Sequence, residues 1–100
     1  MTSHKALNTL IHAPARLGIL TMLSRYDSCG FTLLRDTLEV SDGNLSSHLS
    51  KLESAGYVRV KKSFVNRKQN SNYEITPAGK KDLQEYLEAL RSLLGEQALG

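Results

Sequence analysis

The segment "VSDGNLSSHLSKLESAGYV", Val40–Val58, decides the fold because it combines a regular apolar helix face with an unusual helix N-terminus. Four apolar residues recur at the i, i+4, i+7 and i+10 spacing of one helix face: Leu45, Leu49, Leu52 and Ala55. The first turns of the same helix hold small polar residues that form helices poorly: Ser41, Asp42, Gly43, Asn44, Ser46 and Ser47. Serine is a good N-cap, so we predict a helix over residues 41–55 with a polar, nearly uncharged outer face.

A shorter apolar pattern precedes this helix at the distance expected for a helix-turn-helix. Phe31, Leu34 and Leu38 are spaced i, i+3 and i+7. Thr32 is the predicted N-cap of this shorter helix, "LLRDTL". About three residues then separate it from the longer helix, which is the connection length of a helix-turn-helix. We therefore assign residues 31–55 to a helix-turn-helix.

A β-hairpin is predicted over residues 57–75, after Gly56 ends the longer helix in the left-handed conformation common at that position. Its first strand alternates, and one half-buried side holds Val58, Val60, Lys62 and Phe64. A polar loop, "NRKQN", and a second short strand, "SNYEI", complete the hairpin.

Helices are predicted on both sides of this central part. Residues 4–24 hold two of them, and the second begins near Pro14, which suits a first helical turn. The pair Thr76-Pro77 supplies an N-cap and a first residue for a last helix over residues 76–94. Residues 95–100 are predicted to be a frayed tail.

The length and composition indicate one domain, residues 1–100, with a modest core. The order of its elements is that of a winged helix-turn-helix, a mainly α-helical α+β fold with a small β-hairpin. A single cysteine, Cys29, permits no internal disulfide and fits a reducing compartment. No signal peptide or apolar span is recognised, so we predict a cytoplasmic protein without a membrane partner.

The charge of the chain is uneven, although its net value is only +3. No acidic residue lies between Glu53 and Glu74, and this stretch holds five cations: Arg59, Lys61, Lys62, Arg67 and Lys68. A local basic stripe on a nearly neutral body predicts a polyanion partner at one site. The alternative is a charged hairpin that only meets solvent.

Two groups of residues are candidates for contact with double-stranded DNA. On the longer helix, small residues allow close approach and polar ones can pair with bases or phosphates: Ser41, Gly43, Asn44, Ser47, His48 and Lys51. On the hairpin, cations and amides suit phosphates or the minor groove: Lys62, Asn66, Arg67, Lys68 and Gln69. The alternatives are an ordinary solvated helix face and a mobile solvated loop.

Enzymatic and metal-dependent classes have no support in the sequence. The histidines His4, His12 and His48 are scattered, without partners at ligand spacing, so no metal and no other cofactor is expected. Adjacent helix positions diverge by roughly 100°, so Ser47 and His48 do not form a nucleophile and base. No catalytic residue is assigned. We expect His12 to be a hydrogen-bonded helix-junction residue and Cys29 to be an inert thiol.

Three stretches carry a resemblance to a known family: "HAPARLGIL", "DGNLSSHLSKLESAGYV" and "KKSFVNRKQNSNYEITPAGK". They are similar to small winged-helix transcriptional regulators of the MarR/ArsR-like superfamily. The resemblance implies a homodimer that binds a pseudo-palindromic DNA site, with helix 41–55 in the major groove and the hairpin as wing. The helix before the recognition helix reads "TLLRDTL" and lacks cysteine, so thiolate metal sensing does not carry over.

The same resemblance implies dimerisation through the terminal helices, here residues Leu7, Leu10, Ile11, Leu83, Tyr86, Leu87, Leu90 and Leu94. The leucine seam of the last helix has two interpretations: it covers the chain's own core, or it joins a second copy. A long terminal helix on so small a body favours the dimer. Two other functions stay open, a winged-helix protein–protein assembly module and an effector-gated sensor with an unknown small ligand at the dimer seam.

Overall fold

The computed structural model describes residues 7–95, whose elements follow the predicted order from the second predicted helix onward. They are α1 (Pro14–Arg25), β1 (Cys29–Gly30), α2 (Phe31–Leu38), α3 (Asp42–Ser54), β2 (Val58–Val65), β3 (Lys68–Ile75) and α4 (Pro77–Leu94). The mainly helical fold class with a β-hairpin is confirmed. The parts of the predictions that fall on residues 1–6 and 96–100, including His4, lie outside the described residues. No helix within residues 7–95 is long and apolar enough to cross a membrane.

The starts of three helices are set by residues that the sequence singles out. Pro14 is the first residue of α1, because its missing N–H costs nothing there. Ser41 caps α3 by accepting a hydrogen bond from the Asn44 amide at 3.1 Å. Thr76 caps α4 in the same way, accepting from the Gly79 amide at 3.0 Å. These three predictions are confirmed.

The sheet has three antiparallel strands in the order β1-β3-β2. In β2 and β3, Val58 pairs with Ile75 and Val65 pairs with Lys68, so the hairpin is paired along its whole length. The short β1 pairs with the middle of β3, joining Cys29 to Tyr73. This pairing ties the base of the hairpin to the helical body.

The core lies between the helices and the base of the sheet, where period-3.6 and period-2 apolar faces meet. Its buried residues are Leu7, Ile11, Ile19, Leu20, Leu23, Cys29, Leu34, Leu45, Leu49, Leu52, Val58, Ile75, Leu83, Tyr86 and Ala89. The predicted leucine seam of α3 is therefore confirmed up to Leu52. Ala55 is exposed, because it lies at the C-cap, where the helix ends.

The segment before α1 is not the first of two helices, as the sequence predicted for residues 4–24. Residues 7–13 form turns, in which Asn8 Oδ1 accepts hydrogen bonds from the Leu10 and Ile11 amides at 2.9 and 3.2 Å. An asparagine side chain bonded in this way competes with helical hydrogen bonds. Ala13 is extended because proline disfavours the helical conformation in the preceding residue.

Helix α2 also begins earlier than predicted. Its N-cap is Gly30 rather than Thr32, and Phe31 is the first helical residue. Gly30 is paired with Asn72 in the sheet, so the chain passes directly from β1 into the helix. The three residues 39–41 then connect α2 to α3, which agrees with the predicted helix-turn-helix spacing.

Candidate nucleic-acid interface

The polar face at the start of α3 is open to solvent. Its small residues are all exposed: Ser41, Gly43, Asn44, Ser46 and Ser47. A Cβ added at Gly43 would meet no atom within 4 Å beyond its own stretch of helix. The backbone of the first turn is therefore accessible at close range.

The entrance of α3 is joined to α2 by an ion pair. The Arg35 guanidinium lies 3.1 Å from Asp42 Oδ1 and 2.9 Å from Asp36 Oδ1. Asp42 occupies the first turn of α3, where a carboxylate complements the helix dipole. The pair is exposed, so solvent screens the attraction between its charges. Its consequence is mainly geometric, since it links the two helices at the turn.

His48 and Lys51, predicted with this face, differ in their surroundings. Lys51 is exposed, whereas His48 is only partly exposed and its Nδ1 lies 3.1 Å from an Arg16 guanidinium nitrogen. Burial lowers the pKa of His48 below its usual value, and the charges of Arg16 and Lys51 lower it further. His48 is therefore a neutral ring near pH 7, held from one side by α1.

The cations of the hairpin divide into two groups. Glu74 on β3 lies 3.3 Å from the Arg59 guanidinium and 3.2 Å from Lys61 Nζ. Within residues 7–95, no acidic group forms an ion pair with Lys62, Arg67 or Lys68. The positive charge available to a polyanion is therefore concentrated toward the tip.

The tip of the hairpin is tighter than the predicted five-residue loop. Strand β3 begins at Lys68, so only Asn66 and Arg67 form the turn, with φ values of 53° and 66°. Positive φ at both central residues is typical of a type I′ turn, whose twist matches that of the flanking strands. Gln69, assigned to the loop, lies instead in β3 opposite Phe64.

The alternation predicted that Phe64 lies on a half-buried side of β2, but this residue is exposed. Its side chain is 78% exposed, and the neighbouring Val65 is 52% exposed. The core reaches only the base of the hairpin, at Val58 and Ile75. Beyond the pair Lys62–Ser71 every residue of the two strands is exposed, so alternation no longer implies burial there.

The residues predicted for dimerisation fall into two environments. Leu7, Ile11, Leu83 and Tyr86 are buried in the core of their own chain, and Leu10 and Leu90 pack against that core. The first four have almost no surface left for a second copy to cover, which corrects their assignment. Leu87 and Leu94 are 45% and 51% exposed, and Leu93 beside them is 47% exposed.

His12 and Cys29, which we predicted to have no functional role, have structural surroundings that agree with this prediction. His12 Nδ1 is hydrogen-bonded to the Tyr86 hydroxyl at 2.8 Å, which joins the turn before α1 to α4. Cys29 is buried, and burial raises the pKa of its thiol, so it is a poor nucleophile.

Arg16 is a further residue near this face, and it was not among those predicted from the sequence. Its guanidinium donates to the Leu10 carbonyl at 2.5 Å and contacts His48, so it joins α1 to the middle of α3. One signal was available, since Arg16 is the only charged residue among the first eleven of α1, Pro14–Ser24. Its partner on α3, 32 positions away, could not be read from that spacing.

Comparison with known proteins identifies the scaffold. The family described as winged helix DNA-binding domain matches residues 15–94. An uncharacterized protein of Methanocaldococcus jannaschii is 33% identical over 78 residues, covering 78% of this chain and 85% of the relative.

Solved structures agree with this match. A transcriptional regulator homologue from Pyrococcus horikoshii has a TM-score of 0.79 at 29% identity, covering 85% of this chain and 84% of that one. The transcriptional regulator BldR from Sulfolobus solfataricus has a TM-score of 0.68 at 28% identity. The match covers 91% of this chain and 60% of the BldR chain. The predicted resemblance to winged-helix transcriptional regulators agrees with these matches. Because the family match extends from α1 to the end of α4, the chain belongs to the winged helix DNA-binding domain family.

Proposed function

We propose that the protein is a dimeric, sequence-specific regulator of transcription that binds double-stranded DNA. In this proposal α3 lies in the major groove and the β2–β3 hairpin contacts the backbone or the minor groove. The observation that carries the proposal is the exposed, polar and nearly uncharged face at the start of α3 on a winged-helix scaffold. The regulators of known structure to which the chain is similar support it.

Each part of this interface has a chemical role. Asn44 can pair with the N6 and N7 positions of adenine, and Ser47 can bond to either base type. Ser41 and Gly43 keep the first turn slim enough for the backbone to approach the bases. Lys51 is placed for a base or a phosphate. On the hairpin, cations and amides would contact phosphates or the minor groove: Lys62, Asn66, Arg67, Lys68 and Gln69.

The test is a titration of fluorescence anisotropy with a duplex that the wild-type protein selects from a random DNA library. Affinity should fall linearly with salt on logarithmic axes. Replacing Arg67 and Lys68 by alanine should weaken binding to all sequences and reduce the slope by about 0.9 for each lost phosphate contact. Absence of saturable, salt-sensitive binding would reject the proposal.

A matched variant distinguishes the effect of the hairpin-tip cations on DNA binding from the effect of net charge. Replacing Arg59 and Lys61 by glutamine removes the same charge, but both residues share Glu74 in the free protein. We expect this variant to change the salt slope by less than the tip variant does. An equal change would mean that binding depends on total charge and not on the tip.

Base readout is tested on α3. Asn44→Ala and Ser47→Ala should reduce the preference for the selected duplex over a scrambled one, by about 5- to 100-fold for a base-reading residue. Uniform weakening on both duplexes would assign these residues to phosphates.

One observation favours a second candidate function, a protein–protein assembly module. Exposed apolar residues in the basic stretch would be unusual for a surface that meets only phosphates, and Phe64 and Val65 are such residues. Phe64→Ser distinguishes the two functions. A DNA regulator keeps its salt slope in this variant, whereas an assembly module shows no DNA selection at all and loses its protein partner.

The effector-gated alternative has a candidate location. A groove of about 350 Å³ beside the exposed Leu87 of α4 is lined by Ser24, Lys80, Leu83, Gln84 and Leu87. This volume is at the low end of the roughly 300–1,000 Å³ of most small-molecule sites. A thermal-shift screen for small ligands, followed by DNA titration in the presence of each compound that binds, tests this alternative: a regulator without an effector shows no change in DNA affinity.

A further inference from the structure

Arg16 and His48 form a contact that joins α1 to the proposed DNA-reading helix. An Arg16 guanidinium nitrogen lies 3.1 Å from His48 Nδ1, and Arg16 Nε donates to the Leu10 carbonyl at 2.5 Å. The guanidinium is thus anchored at one end to the turn before α1. Its other end faces a single nitrogen of the His48 ring.

The chemistry of this pair determines where the His48 proton lies. A guanidinium has only donors, so Nδ1 must be the acceptor and carries no proton. The proton of the neutral ring is therefore on Nε2. A second proton would have to occupy Nδ1, facing Arg16, and Lys51 adds a further positive charge near the ring.

The position of His48 on α3 places it beside the proposed contact residues. It follows Asn44 by four residues and precedes Lys51 by three, so the three share one face of the helix. The ring is partly exposed, and Arg16 occupies only its Nδ1 edge.

We propose that His48 is a specificity-determining residue for DNA and that Arg16 is its positioning residue. Arg16 holds the ring so that Nε2–H donates to an acceptor on a base edge. Guanine N7 and O6, adenine N7 and thymine O4 are such acceptors in the major groove, whereas cytosine presents only its amino donor there and would be rejected. This inference rests on the proposed function, because it assumes that α3 meets the bases.

The first test needs no DNA. Nitrogen-15 NMR of the wild-type protein at pH 7 should show His48 Nδ1 unprotonated and Nε2 protonated. On titration, the pKa of His48 should lie below the usual 6.5 or so. Arg16→Met should raise that pKa, because it removes the positive charge facing Nδ1. A proton on Nδ1 at pH 7, or a pKa that Arg16→Met leaves unchanged, would overturn the positioning role.

The second test uses DNA and two amide variants that imitate different ring nitrogens. Glutamine places an amide donor near the Nε2 position, and asparagine places one near the Nδ1 position. We expect His48→Gln to keep its affinity for the selected duplex within about 3-fold and His48→Asn to lose about 5- to 10-fold, the worth of one hydrogen bond. His48→Asn should lose less on a scrambled duplex. Equal losses on both duplexes would indicate a phosphate contact and reject the specificity role.

A double-mutant cycle tests whether Arg16 acts through His48. Arg16→Met should weaken binding to the selected duplex, Arg16→Lys should restore most of it, and Arg16→Met should have little further effect in His48→Ala protein. An undiminished effect in that background would mean that Arg16 contacts DNA itself. If Asn44→Ala and the hairpin variants alter binding while the His48 variants do not, the inference fails and the proposed function stands.

Discussion

Gly79 and Gly43 both lie in the first turn of a helix, yet they are predicted to respond to alanine in opposite directions. A Cβ at Gly79 would overlap the Tyr57 carbonyl oxygen and lie 2.8 Å from Ile75 Cγ1. At Gly43 no such neighbour exists. One glycine is required by packing against the end of the sheet, and the other leaves space on the surface.

We therefore expect Gly79→Ala to lower the free energy of unfolding by roughly 1–3 kcal/mol, because backbone must move to admit the methyl group. Gly43→Ala should raise it by roughly 0.5–1 kcal/mol, since alanine loses less conformational entropy in a helix. Urea unfolding followed by circular dichroism measures both. If α3 docks closely on DNA, Gly43→Ala should also weaken binding to the selected duplex. A Gly79→Ala protein as stable as wild type would contradict the packing argument.

At the scale of elements, the helix-turn-helix contains a turn that glycine would suit better. Glu39 ends α2 in the left-handed conformation, with φ 55° and ψ 47°, and its amide bonds to the Arg35 carbonyl. The left-handed conformation costs a residue with a Cβ roughly 1–2 kcal/mol. Gly56 meets the same requirement at the end of α3, with φ 80°, and has no Cβ to clash.

Glu39→Gly is accordingly expected to stabilise the fold by about 1 kcal/mol. The matched control is Glu53→Gly, which removes the same exposed carboxylate from the regular part of α3 and should destabilise by about 1 kcal/mol. Thermal melts of the two variants provide the comparison. Shifts of Tm in the same direction would show that charge, and not backbone conformation, dominates at these positions.

How far each element could be predicted depends on whether its signal is local. Ser41, Thr76 and Pro14 act within one helical turn, so the starts of three helices follow from the sequence. The turn at residues 7–13 was missed because Leu7 and Ile11 have helical spacing but are buried through contacts with the rest of the core.

The hairpin shows the same division. Alternation correctly indicates the two faces of β2, but it does not tell how far the helical body extends along the strand. Phe64 is therefore on the predicted face and yet exposed. The candidate site was predictable on α3, where exposure follows from the leucine seam. The Arg16–His48 contact was not predictable, because it joins residues of two helices that only packing brings together.

For the whole molecule, the exposed leucines near the end of α4 bear on the oligomeric state. Leu87 and Leu94 are seven residues apart on one side of the helix, with the partly buried Leu90 between them. Burying an exposed leucine fully is worth roughly 1.5–3 kcal/mol, and a two-fold axis beside α4 would bury each residue twice. Leu83 and Tyr86, on the side toward the core, are already covered.

We expect the protein to be a dimer by size-exclusion chromatography with light scattering, and Leu87→Glu to convert it to a folded monomer. Ser92→Glu is the matched control, because Ser92 is exposed and points away from the leucine side of α4. Leu83→Ala should instead reduce the free energy of unfolding by about 2–5 kcal/mol, as expected for a core leucine.

A two-fold dimer would place its recognition helices about one DNA turn apart, so selected duplexes should contain inverted half-sites spaced by roughly 10 base pairs. Loss of that inverted symmetry in duplexes selected by Leu87→Glu would connect the α4 contact to DNA recognition. A wild-type protein that elutes as a monomer and selects a single half-site would place the exposed leucines outside any contact between copies.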